Sequence, residues 1–434
     1  MKILAITNLY PPYAIGGYER LCADVCLRLE NRGHELHVLT STYGSDRRRV
    51  DGQIRRLLPL ESRFDRIYRS KNGKGAVGTM LDIARTRAIT ARTIRQVRPD
   101  VVYVWNLGYL HRSVLDATRE SGVPVAFHLG DPWPKYKDAW CKKWNAPAYH
   151  PRRRVPKRII AKTLRAASLL CDESLRADDL VACSCNALKQ ELLEAGLTLG
   201  RATVINEGIP LDEIGDIDVG RAKGNQTPRS MLFAGQLLEH KGAHTVVEAM
   251  TLLRQREACK DLALTILGSG DDDYKARLHD SVESLGLRES VTFREPVPRA
   301  ELPRVLSEHD IFVFPSIWPE PWSLLLLTGM ACGMPVACTA TGGSAELAKD
   351  GENAVTFDAG SPPSLAQAVE RIVTDADLRT SIAKNARNLV WEHYGIETMV
   401  DHVEHLLATA CAHEHEYEYE RRIPAPVAVG AVQE

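Results

Sequence analysis

Lys2-Ile3-Leu4-Ala5-Ile6-Thr7, the pair Gly16-Gly17, the stretch from Tyr18 to Glu30, and Leu36-His37-Val38-Leu39-Thr40 together decide the fold. The first is a short apolar run closed by Asn8 and Pro11-Pro12, the pattern of a buried strand. The glycine pair opens an amphipathic stretch that Gly33 stops, the pattern of a helix, and residues 36–40 read as a second strand. Strand, glycine loop, helix and strand joined by short links form a βαβ unit, which favours a parallel sheet.

The alternation continues outward. Arg98-Pro99-Asp100 leads into a strand at 101–105, Val123-Pro124 into 125–128, Asp179 into 180–184 and Arg201 into 202–205. A polar stretch with glycine and proline from Gly220 to Ser230 has the composition of an interdomain link. Beyond it a second series opens with strands expected at 231–234, 262–267, 291–293, 311–315 and 335–338, and helices at 245–254 and 323–332. The fold class expected is α/β, two doubly wound Rossmann-like domains at 1–210 and 211–390. Residues 391–411 are expected as a helix packing back on the first domain. Residues 412–434, with Glu, His and Tyr alternating from Glu414 to Glu420, are expected as an unstructured tail.

A length of 434 residues exceeds what one hydrophobic core serves, in line with two domains. The 44% hydrophobic and 26% charged composition excludes a wholly disordered, collagen-like or transmembrane chain. A formal net charge of -1 supplies no global field for nucleic acid, so no nucleic-acid partner is expected. Of ten cysteines, only Cys22 with Cys26, Cys183 with Cys185 and Cys332 with Cys338 lie near each other, and none has the spacing of a zinc or redox pair. Reduced core thiols are the reading. No run approaches the ~18 apolar residues of a membrane helix. Met1-Lys2-Ile3-Leu4 passes straight into a strand, so the default compartment is the cytosol, with contact to the inner membrane face as an option.

Each motif has two readings. Gly16-Gly17 is a tight turn, or a place where backbone N–H groups and a helix dipole approach an anion or a sugar hydroxyl; it is not the dinucleotide fingerprint. In Gly235-Gln236-Leu237-Leu238-Glu239-His240-Lys241-Gly242, Lys241 is a solvated loop residue, or a cation reaching a diphosphate at the carboxyl end of the sheet. Glu320, in Pro315-Ser316-Ile317-Trp318-Pro319-Glu320-Pro321-Trp322-Ser323, precedes a helix start whose free N–H groups at Ser323, Leu324 and Leu325 suit phosphate oxygens; an acid near a helix start is its plainer reading. Gly342-Gly343 followed by Glu346 repeats the glycine-loop pattern. Asp271-Asp272-Asp273 reads as helix-capping acids rather than metal ligands, and no metal site is expected. Arg152, Arg153, Arg154, Lys157 and Arg158 read as a solvated loop before a helix, or as a contact for anionic lipid or a phosphorylated acceptor. Tyr136, Trp140 and Trp144 read as a packed helix stripe or a sugar platform, packing being the plainer.

Taken together and in order, these segments resemble the retaining GT-B glycosyltransferases of family four, over residues 2–407. The resemblance rests on Pro11 to Arg20, Asn31 to Thr40, Arg98 to Val102, Phe233 to Gly242, Leu267-Gly268-Ser269-Gly270, and Pro315 to Gly343. It implies hexosyl transfer from a nucleoside diphosphate sugar to a small-molecule, glycan or lipid-linked acceptor, without a cofactor or metal. It implies Gly16 and Gly17 beside the donor phosphates and acceptor, and His128, in Phe127-His128-Leu129-Gly130-Asp131, in the loop below the transferred sugar. Lys241 would neutralise the leaving diphosphate and Glu320 would face the sugar or phosphate. This sequence departs from the family twice: Gln236 stands where an arginine is usual, and Thr328 where a ribose-gripping glutamate is usual. Those departures motivate a rival, a weak or inactive nucleotide-sugar-binding protein of the same fold. An epimerase and a dehydrogenase are further alternatives that no feature favours.

Overall fold

The computed structural model describes residues 1–45, 48–60, 75–136, 139–146, 150–171, 175–223 and 226–422. Its first sheet comprises β1 (Lys2–Ile6), β2 (Glu35–Ser41), β3 (Arg49–Asp51), β4 (Ile54–Leu58), β5 (Val101–Val104), β6 (Val125–Leu129), β7 (Leu180–Cys183) and β8 (Arg201–Val204). Their spatial order is β3-β4-β2-β1-β5-β6-β7-β8, parallel except for the β3–β4 pair. The second sheet comprises β9 (Ser230–Ala234), β10 (Ala263–Leu267), β11 (Val291–Arg294), β12 (Ile311–Phe314), β13 (Val336–Thr339) and β14 (Val355–Phe357), all parallel, in the order β11-β10-β9-β12-β13-β14. In each sheet the chain turns back beside its own first strand, β1 against β5 and β9 against β12. Such reversals open a crevice at the carboxyl ends of the strands, where ligands of open α/β sheets bind.

The apolar runs form these strands because helices cover both faces: β5, β7 and β12 are buried at every residue. Three strands escaped the sequence reading. β3 and β4 are rich in arginine, and Arg56 is buried only because its guanidinium donates to the carbonyls of Tyr10 and Pro11. β14 spans three residues, too short to show a period.

The helix Ile396–Arg422 returns to the first sheet, inserting Met399, Val400, Val403 and Leu407 into the core of β1, β5 and the helix Gly17–Asn31. Arg28 and Arg32 clamp it through Glu397, Asp401 and Glu404. The helix runs past residue 412, where an unstructured tail was expected. Once a docked helix is nucleated, each added residue gains a backbone hydrogen bond without a new nucleus. Residues 423–434 lie outside the described part. Trp140 and Trp144, on the helix Ala139–Asn145, meet edge to face at 5.7 Å against a small core cluster, whereas Tyr136 lies outside that helix and is exposed. Nine of the ten cysteines are buried, as core residues. Among the described residues no helix is long and apolar enough to cross a membrane.

Candidate active site

The loops after β9 and β12 meet because two glycines permit it. Gly242 has φ +75°, and a Cβ there would lie 2.0 Å from the Pro315 carbonyl oxygen. Only glycine allows that approach, and it lets Ile317 N–H donate to His240 O at 2.8 Å. On the far side a Cβ on Gly343 would lie 1.7 Å from Pro321 O, and Gly343 N–H donates to Glu320 O at 2.8 Å. The segment carrying Glu320 is therefore held between two loops.

That confinement brings Lys241 Nζ to 2.5 Å from Glu320 Oε1, which also accepts from the Ser316 hydroxyl at 2.8 Å. Glu320 is buried, and the Lys241 side chain keeps 21% of its exposure. A cation that remains reachable while balanced by a carboxylate can turn to a phosphate oxygen without leaving a naked buried charge. Immediately afterwards the helix Leu324–Ala331 begins, with the Ser323 hydroxyl accepting from Leu326 N–H at 3.2 Å. The earlier amides of that turn have no intrahelical acceptor, as at every helix start.

Across the crevice stands the glycine loop of the first sheet. Gly16 N–H donates to Glu19 Oε2 at 2.8 Å, which fixes the start of the helix Gly17–Asn31. A Cβ on Gly17 would lie 3.4 Å from Leu324, so the two helix starts face each other closely. Gln236 bridges the same gap, its side-chain amide donating to Ile15 O at 3.4 Å. Thr328 donates its hydroxyl to Leu324 O in its own helix at 2.7 Å and borders a cavity of about 50 Å³ with Asp24, Glu213 and Arg299.

His128 lies in β6 itself rather than in the loop after it, and it is wholly buried. It stacks on Trp105 with ring centroids 4.3 Å apart, and its Nδ1 lies 3.3 Å from the Tyr103 hydroxyl. Its Nε2 has no hydrogen-bond partner and points to Glu207 Oε1, 3.8 Å away and also unpartnered. Sequence reasoning missed Glu207, although an acid before Gly208 just past β8 occupies a crevice position. Burial pushes its carboxyl up, partly offset by His128. Asp131 was quoted only as a neighbour of His128, yet burial raises it to about 6 against its hydrogen bonds from Trp133 N–H and Asn106, and nearby Glu19 and Glu207 add to the rise. Tyr18 knits this floor together: its hydroxyl donates to His128 O at 2.6 Å and accepts from Gly130 N–H at 3.0 Å.

The halves are also joined beneath the crevice. Trp322 Nε1–H donates to Glu207 O at 2.9 Å, and Glu346 accepts from the amides of Asn186 and Ala187 at the start of the helix Asn186–Glu194. Glu346 thus supplies a charge-assisted cap across the two halves. Asp271 caps the helix Asp272–Ser284 by accepting from Tyr274 N–H at 2.8 Å.

Two doubly wound sheets, facing through a glycine loop on one side and a lysine–glutamate pair with a helix start on the other, define a GT-B glycosyltransferase. Solved structures agree on the fold. Sucrose-phosphate synthase from Thermosynechococcus elongatus superposes with TM-score 0.68 at 16% identity, covering 95% of this chain and 100% of that one. Anabaena HepE, in complex with UDP and glucose, gives 0.63 at 19% identity, covering 94% and 99%. Family models match in both halves: Glycosyltransferase Family 4 over residues 15–213 and Glycosyl transferases group 1 over residues 218–389. The chain belongs to this family of nucleotide-sugar glycosyltransferases. Among curated relatives, D-inositol 3-phosphate glycosyltransferase of Paenarthrobacter aurescens is 28% identical over 297 residues, 65% of this chain and 67% of that one. An uncharacterized glycosyltransferase of Methanocaldococcus jannaschii is 34% identical over 180 residues, 41% of this chain and 44% of that one.

Proposed function

We propose that this protein transfers a hexosyl unit from a nucleoside diphosphate sugar to an acceptor with net retention at the anomeric carbon, and that it needs no metal ion. The observation that carries the reading is the convergence of Lys241, Glu320 and the free amides before Leu326 on the glycine loop of the opposite half. Charge develops on the leaving diphosphate as the glycosidic bond breaks. A cation and a helix amino terminus already aimed at that charge stabilise it without reorganisation. The leaving phosphate then accepts the acceptor proton, so no further side-chain base is required. The buried floor of His128, Glu207 and Asp131 lies on the first half, where a sugar hydroxyl would find both donors and acceptors. A reducing compartment such as the cytosol suits a chain whose cysteines sit mostly in the core.

The decisive test is a mass-spectrometric screen of UDP, GDP and ADP sugars for saturable binding and turnover, repeated in EDTA. Turnover that survives chelation supports the proposal; complete loss restored by Mg or Mn removes its metal-independent part. Binding without turnover supports the second reading, an inactive nucleotide-sugar binder. That reading is favoured by Gln236, which spends its amide on Ile15 O instead of supplying a second cation.

A further inference from the structure

The helix Pro151–Ala166 is built the wrong way round for a surface helix. Its inward face is slight, with Ala161 and Leu164 buried against Ile83 and Trp140. Its outward side carries two apolar residues, Val155 at 66% and Ile159 at 61% exposure, and Ile160, beside the buried Leu164, keeps 43%. Val155 and Ile159 are four residues apart and therefore stack on one side, away from the buried pair. Arg154, Arg158, Lys162 and Arg165 run along the flank of that stripe, and the helix holds seven basic residues and no acid. Arg152, Arg154, Arg158 and Lys162 are exposed and form no ion pair with a described residue. The helix Ala76–Val97, whose Ile83 shares the same small core, exposes apolar residues of its own, Val77 at 66% and Leu81 at 50%.

We infer that this face docks the protein on an anionic lipid bilayer, the helix lying flat with Val155 and Ile159 among the acyl chains and the basic flank at the headgroups. An exposed apolar stripe bordered by cations is the arrangement that partitions into the interface of a charged membrane. A second copy of the chain is a poor occupant, because a two-fold contact would set seven positive charges against seven more. The docking is independent of the transferase reading, since none of these residues builds the crevice.

The test is co-sedimentation of the full chain with vesicles of phosphatidylcholine alone or mixed with phosphatidylglycerol, at low and high salt. Recovery with the anionic vesicles only, weakened by salt, is the expected result. Ile159→Asp and the pair Arg158→Glu, Lys162→Glu should each lower vesicle partition at least tenfold, with thermal melting and nucleotide binding unchanged. Equal recovery on neutral and anionic vesicles, or full binding by Ile159→Asp, would overturn the inference. So would a dimer in sedimentation velocity that Ile159→Asp dissolves.

Discussion

Lys241 and Glu320 stand in different loops, 79 residues apart in sequence, and share one contact at 2.5 Å. Removing the lysine acts twice, on the charge opposite the leaving diphosphate and on a buried carboxylate left unpaired. Lys241→Ala should lower kcat/KM roughly tenfold or more and also lower Tm. The double variant Lys241→Ala, Glu320→Gln should recover Tm but not turnover, which thermal melts and steady-state kinetics together can read. At Thr328 the hydroxyl is turned to its own helix, so nothing charged faces the nucleotide from that position. Thr328→Glu supplies a carboxylate, and Gln236→Arg supplies the cation to balance it, so the pair should tighten donor Kd by more than the sum of the single changes. Weaker calorimetric binding in Thr328→Glu, unrescued by Gln236→Arg, would place the ribose elsewhere. Lys241 and Glu320 were legible in the sequence because each sits at a strand's carboxyl end beside a helix start. Their mutual contact was not, because sequence spacing carries no information about which loops face each other.

Among the elements, Gly342-Gly343 read in the sequence as a second glycine loop before a helix, and the helix Ser344–Leu347 follows it. What the sequence did not show is that Gly343 presses on Pro321 O, so the turn sets the height of the loop bearing Glu320. Gly343→Ala should therefore displace that loop and cut activity at least tenfold, while circular dichroism shows the secondary structure intact. An active Gly343→Ala enzyme would mean that the position of Glu320 is not critical. The basic segment 152–158 was read as a loop before a helix, whereas it lies inside the helix Pro151–Ala166. Pro151 explains the difference: proline at a first helical position starts a helix, and the arginines after it are good helix formers. The side chain of Arg153 lies outside the described residues.

On the scale of the whole molecule, the buried floor of the first half stores a cost that shows in stability. Asp131 is raised from 3.8 to about 6, chiefly by burial. Between those values the folded chain holds a proton that the unfolded chain has released, so stability falls as pH rises through that window and stays lower above it. Asp131→Asn removes the term. Its Tm relative to the wild type should rise from about pH 4 to about pH 6 and level off beyond, and a difference independent of pH would show that Asp131 ionises freely. The two α/β halves, eleven of the strands and the placement of Gly16, Lys241 and Glu320 at crevice ends were legible in the sequence, because strand and helix periods and glycine turns are local properties of the chain. Folding alone brings Glu207 to face His128, makes Trp322 and Glu346 join the halves, and buries Arg56 in β4, between β3 and β2. Those outcomes rest on desolvation and on partners brought from distant segments, and neither has a signature in the local order of residues.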